Sequence, residues 1–217
     1  MTRHTDAILE KTKSSKYTEL NSDFAIKLTN ESERGAILIG VSKVEVYLES
    51  LILKVLPSQE KSYTNKLLNY PGALSSFSGK IELSFAFGIL DKATYESLNT
   101  LRKIRNDAAH SKEEFSLQKN KKNLEIIYSF EYGFPEIVHR LSFDHLIAWK
   151  KDIIKKGLAD KNLLDKFNVE DLWNKHIPDP ETNESIQEQL TIWKLAYGLT
   201  LLCLKLEVIT DEYKQAT

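Results

Sequence analysis

The 217-residue sequence predicts an all-α fold, a bundle of amphipathic helices around one helix that is buried on most sides. Three observations carry the prediction. Apolar residues recur at alternating spacings of three and four along the longer segments, which marks one face of a helix and not a strand. Leu195 to Leu204 is apolar nearly all round, as a helix lying between other helices must be. Capping and stopping residues stand at the edges of the periodic stretches.

In chain order, Ile37, Val41, Val44, Leu48, Leu51 and Val55 lay a stripe along a helix over 34–56, with Asn30 and Glu33 spaced as a cap and Pro57 as the stop. Ser58 to Ser76 reads as a polar connection with a turn at Asn69-Tyr70-Pro71-Gly72. Phe77, Ile81, Phe85 and Ile89 stripe a short helix; Asp91 caps the next, whose stripe is Tyr95, Leu98, Leu101, Ile104 and Ala108. Ser111 to Asn123 is polar and lysine-rich and reads as a loop. Leu124 to Phe130 has the β-branched and aromatic content of a short strand or hairpin, with a helix as the alternative. Ser142 is placed to cap a helix through Trp149 to Lys156, a weaker helix covers 162–173, and Pro178 and Pro180 punctuate the chain before a last helix over 184–209. Without internal repeats, the expected organisation is a single helical domain over 1–217: a core at 29–110, C-terminal helices at 142–209 and an insertion at 111–141. Gly35, Gly40, Gly79 and Gly88 are expected to let helices pack closely, and Trp149, Trp173 and Trp193 to anchor a core or interface.

Thirty basic and 31 acidic side chains leave a formal charge of −1, so any nucleic-acid contact must be local. One cysteine, Cys203, excludes an intrachain disulfide framework and a cysteine zinc cluster. With no apolar leader in the first twenty residues, this predicts a cytoplasmic protein. The apolar run between Lys194 and Lys205 is about half the ~20 residues a membrane span needs, so no membrane association is expected. There is no metalloprotease helix, Walker loop, dinucleotide fingerprint or nucleophile elbow. His139, Asp144 and His145 lack a second ligand cluster, and neither a metal nor a cofactor is expected.

The segment that carries chemistry is Lys103-Ile104-Arg105-Asn106-Asp107-Ala108-Ala109-His110, closing its helix. An arginine can hold a phosphate and stabilise charge developing on it; a histidine moves protons near neutral pH. The spacing alone is weak, since an arginine followed five to seven residues later by a histidine arises by chance in roughly a third of such chains. Arg140 and His145 repeat it elsewhere, with Leu141 as the arginine's neighbour. As a plain helix end, the same basic groups would complement the negative end of the macrodipole. Asn106 and His110 share a helix face, whereas Arg105 is rotated away. Fraying of the helix end, or a twofold axis pairing Arg105 of one chain with His110 of another, would join them. Arg102, Lys103 and Lys112 are candidate RNA contacts, with Lys119, Lys121 and Lys122 nearby against Asp107, Glu113 and Glu114.

Asn30 to Ala36 opening the long helix, then Leu74-Ser75-Ser76-Phe77-Ser78-Gly79-Lys80-Ile81-Glu82-Leu83-Ser84-Phe85-Ala86-Phe87-Gly88, then Arg102 to His110, together resemble the mannitol operon repressor (MltR-like) family, in that family's order. That family resembles in turn the HEPN superfamily of helical bundles, many of whose members are metal-independent endoribonucleases acting as dimers. The resemblance implies an HEPN/MltR-like helical bundle in a homodimer, with Arg105, Asn106 and His110 as catalytic residues and single-stranded RNA as substrate. Glu33, Arg34 and Asp107 would be supporting residues, the first two occupying the family block's charged pair. The competing reading is a non-enzymatic regulatory or scaffold protein acting through a protein partner. A sequence-specific DNA repressor ranks third, because no helix-turn-helix with a basic recognition helix is visible, and tight sequence-specific DNA binding is not expected.

Overall fold

A computed structural model describes residues 3–13, 23–24, 26–56, 60–111, 114–177 and 179–215. Among them there is no strand, residues 23–24 and 26–29 are helical, and the longer helices are α1 (Arg3–Lys11), α2 (Glu33–Val55), α3 (Lys61–Leu68), α4 (Phe77–Ala86), α5 (Lys92–His110), α6 (Lys121–Tyr128), α7 (Phe134–Asp160), α8 (Val169–His176) and α9 (Glu184–Gln215). No described helix is long and apolar enough to cross a membrane.

Helix α9 is the axis of the bundle. It packs most extensively on α2 and also on α7, α1 and α6, so from Leu195 to Leu206 every residue is buried. Gly40 on α2 makes this approach possible, because a Cβ there would collide with the Leu199 side chain. The expected α2 stripe is buried through Leu51, and Val55 at the helix end is half-buried. Of the other glycines, Gly88 serves no packing: at φ 68° it turns the chain after α4. Trp173 and Trp193 are buried, and an aromatic ladder crosses from α7 to α9, with Trp149 5.9 Å from Trp193, Trp193 6.2 Å from Tyr197 and Tyr197 5.1 Å from His145. Cys203 is buried in α9, where burial pushes its thiol up to about 12.

Five sequence expectations need correction. The segment expected as a strand or hairpin is helix α6. Leu124, Ile127 and Tyr128 bury at helical spacing while Ile126 is exposed, so packing overrides β-propensity. Ser142 is not a cap: α7 starts eight residues earlier, after Gly133 at φ 79° and with Pro135 in its first turn, and Ser142 is buried with its hydroxyl donating to the Val138 carbonyl at 2.6 Å. The long helix is capped by Ser32 and not Asn30; the Ser32 hydroxyl accepts from the Gly35 N–H at 3.1 Å. The 58–76 connection contains helix α3, and over 162–173 the helix is confined to α8, capped by Asn168. Pro57 and Pro178, expected as a stop and a break, lie outside the described residues.

Candidate functional site

Helix α5 begins at Asp91, whose carboxylate accepts from the Thr94 N–H at 2.7 Å. It buries Leu98, Leu101, Ile104 and Ala108 and packs on α2, α4 and α6. The Ser97 hydroxyl donates to the Ile126 carbonyl at 3.0 Å and ties α5 to α6. This burial turns the opposite face outward. Arg105 is exposed, and its guanidinium donates to the Asn106 side-chain oxygen at 3.3 Å. Asn106 is half-buried, and His110, the last helical residue, is exposed. Arg102 donates to Asn99 at 3.0 Å; Lys103 and Asp107 are exposed.

Arg105 thus meets Asn106, and Asn106 lies one turn before His110 on the same side. Arg105 and His110, five residues apart, project about 140° apart around the axis. Among the described residues no hydrogen bond joins them. Since α5 stays helical through His110, fraying does not bring them together within one chain.

The charged pair at the start of α2 has a definite structural task. Arg34 donates from both terminal nitrogens to the Ser111 carbonyl at 3.2 Å, and the Glu33 carboxylate accepts from the Leu117 N–H at 2.9 Å. Together they hold the segment that follows His110, which is further pinned by buried Phe115 and Leu117. The lysine-rich segment is therefore anchored at both of its described ends, while Lys112 lies outside the described residues. At the repeated spacing, His145 is part of the aromatic ladder and its Nδ1–H donates to the Leu141 carbonyl at 2.9 Å, which is a packing role.

A polar constellation that the sequence did not reveal lies where α1, α5, the α6–α7 connection and α9 meet. Lys205 of α9 is fully buried. Its ammonium donates to His4 Nδ1 at 2.7 Å and to the Glu131 carboxylate, and it pairs with Asp91 at 3.1 Å. His4 Nε2–H reaches Glu212 at 3.1 Å, and the Thr5 hydroxyl donates to Glu131 at 3.2 Å. His4, Asp91 and Glu131 have their ligand-type atoms within 4.8 Å of one another, and the Lys205 ammonium bonds to all three residues. It acts as the internal cation that fastens α1 and the α5 cap to α9. The only signals were one lysine ending an all-apolar run and one glutamate between Phe130 and Phe134.

Comparison with protein families, curated proteins and solved structures finds no match to this chain.

Proposed function

We propose that the protein is an HEPN-type, metal-independent endoribonuclease that acts on single-stranded RNA as a homodimer, with Arg105, Asn106 and His110 at its site. The observation that carries this reading is the exposed end of α5: Arg105 is steadied by Asn106, His110 stands one turn on, and Glu33 and Arg34 clamp the following segment. Exposure of both residues near the end of one helix suits a site completed by a second copy. A twofold axis near the end of α5 would bring Arg105 of one chain to His110 of the other, removing the angular separation within a single helix.

In this mechanism the ribose 2′-oxygen attacks the adjacent phosphorus while the bond from phosphorus to the 5′-oxygen breaks. The 2′-hydroxyl gives up its proton and the leaving oxygen gains one, so the products are a 2′,3′-cyclic phosphate and a 5′-hydroxyl, with no water consumed. His110 accepts or supplies a proton, and Arg105 stabilises the doubly charged phosphorane. Asn106 orients the guanidinium. DNA, lacking the 2′-hydroxyl, is inert. Arg102 and Lys103 sit on the same helix to meet flanking phosphates, and Lys112 is the further candidate contact.

The test is cleavage of single-stranded RNA in EDTA by folded, dimeric protein. General acid–base catalysis contributes roughly 100- to 10,000-fold, so His110→Ala should lose nearly all activity. A monomer at micromolar concentration, or a wild type that cleaves no RNA, overturns the proposal and leaves regulation through a protein partner as the reading to pursue.

A further inference from the structure

We propose that the cleft between α6, α7 and the first half of α9 binds a small organic anion, a carboxylate or phosphate ester with an apolar body, through Lys194 and Lys121. The cleft encloses about 590 Å³, within the ordinary range for small-molecule sites. Leu124, Leu190 and Pro135 supply apolar wall. None of the residues of the α5 motif lines it, so the inference is independent of the ribonuclease reading.

One feature points to an anion: Lys194, half-buried on α9, for which no described carboxylate lies within ion-pairing distance. Tyr128 closes the inner wall, its ring packed on Gly198 and its hydroxyl sealed from solvent. The two lysines buried most deeply are treated differently: Lys80 is held by Glu45 at 2.8 Å and Glu49 at 2.7 Å, and Lys205 by Glu131 and Asp91.

The electrostatics agree. Burial lowers the Lys194 ammonium's pKa, the Lys121 charge lowers it further, and exposed Glu125 does not compensate. Burial and the Lys194 charge likewise lower the His139 ring's pKa. Like charges crowded in a cleft are relieved by an anionic ligand. Glu125 and Glu136 stand exposed on the lining and would disfavour a polyanion such as RNA, which is why a single anionic group on an apolar body is the class that fits.

The experiment is a titration of the isotope-labelled full chain with phenyl phosphate, benzoate, inorganic phosphate and neutral benzyl alcohol, read by amide chemical shifts. Saturable shifts confined to 118–129, 136–139 and 187–194 are expected with phenyl phosphate or benzoate at millimolar concentration or below, and their relative affinity tells phosphate ester from carboxylate. Benzyl alcohol should not saturate, and inorganic phosphate should bind more weakly than phenyl phosphate. Losing one charged hydrogen bond should weaken the anion by about tenfold or more in Lys194→Gln. If Lys194→Gln fails to fold, exposed Lys121→Gln carries the same expectation of weaker binding. The proposal is overturned if neither aromatic anion saturates, if benzyl alcohol binds equally well, or if the folded lysine variant binds unchanged.

Discussion

Lys205→Met keeps an unbranched side chain one atom shorter, removes its charge and leaves the Glu131 carboxylate buried without its ammonium. Glu131 and Asp91 have oxygens within 4.8 Å of each other. At an effective dielectric of about 20 their repulsion would approach about 3.5 kcal/mol, and the half-exposure of Asp91 cuts that figure. Removing one partner of a buried pair costs roughly 3–5 kcal/mol, and the exposed side of this network points to the lower end, about 3 kcal/mol. For a chain of this size that lowers the melting temperature by about 6–12 °C. Urea denaturation followed by far-ultraviolet circular dichroism measures it. Without the ammonium, Glu131 binds a proton more readily in the folded state than in the unfolded one. The penalty is therefore full only above the raised value of Glu131 in the folded variant and fades as pH falls from there toward the unfolded carboxylate value of about 4. Adding Glu131→Leu to Lys205→Met should recover most of the loss. A loss below about 1 kcal/mol at neutral pH, or one that grows on acidification, would refute the internal-cation account.

The Asp91 carboxyl is pushed up by burial, but the Thr94 N–H and Lys205 outweigh that and hold it below its ordinary value. Its contribution is therefore present above the unfolded pKa and lost as pH falls through the folded one, and Asp91→Asn should flatten the fall of the urea midpoint as pH drops below about 4. Gly40→Ala drives a methyl into Leu199 between α2 and α9 and should cost about 1–3 kcal/mol in the same assay; a neutral result would mean that the two helices do not meet as described. Glu33→Gln weakens the bond from the Leu117 N–H and should speed hydrogen exchange at 114–117 without changing α2, whereas unchanged protection there would dismiss the clamp.

Long helices were legible because their buried faces repeat with the helical period: the stripe from Ile37 to Leu51 and that from Leu98 to Ala108 are both core. The errors fall where a short segment carries two messages. Leu124 to Phe130 is rich in β-formers, yet contact with α5 and α9 selects the helix. Ser142 looks like a cap because its hydroxyl is suited to capping, but here that hydroxyl bonds back one turn inside a long helix. Phe85, expected in a core stripe, is partly exposed and stacks on Tyr95 at 4.1 Å. Around the candidate site, the exposure of His110 follows from the stripe on the other face of α5, whereas Arg105, four residues after buried Leu101, is exposed on the stripe's own side and that exposure was not legible. The tasks of Glu33 and Arg34 depend on partners 84 and 77 residues away and have no local signature. Lys205 was hidden for the same reason, since its partners come from three distant segments of the chain.

The central claim, a ribonuclease site shared between two copies, is tested most directly by mixing two inactive variants. Arg105→Ala and His110→Ala should each fold, dimerise and fail to cleave single-stranded RNA in EDTA, while Arg140→Ala should cleave as the wild type does. When the two inactive proteins are mixed under exchange, about half of the dimers pair an intact Arg105 with an intact His110 at one of two sites, so activity should return to about a quarter of the wild-type value. No recovery from a mixture shown to contain mixed dimers, or full activity in either single variant, would contradict the account.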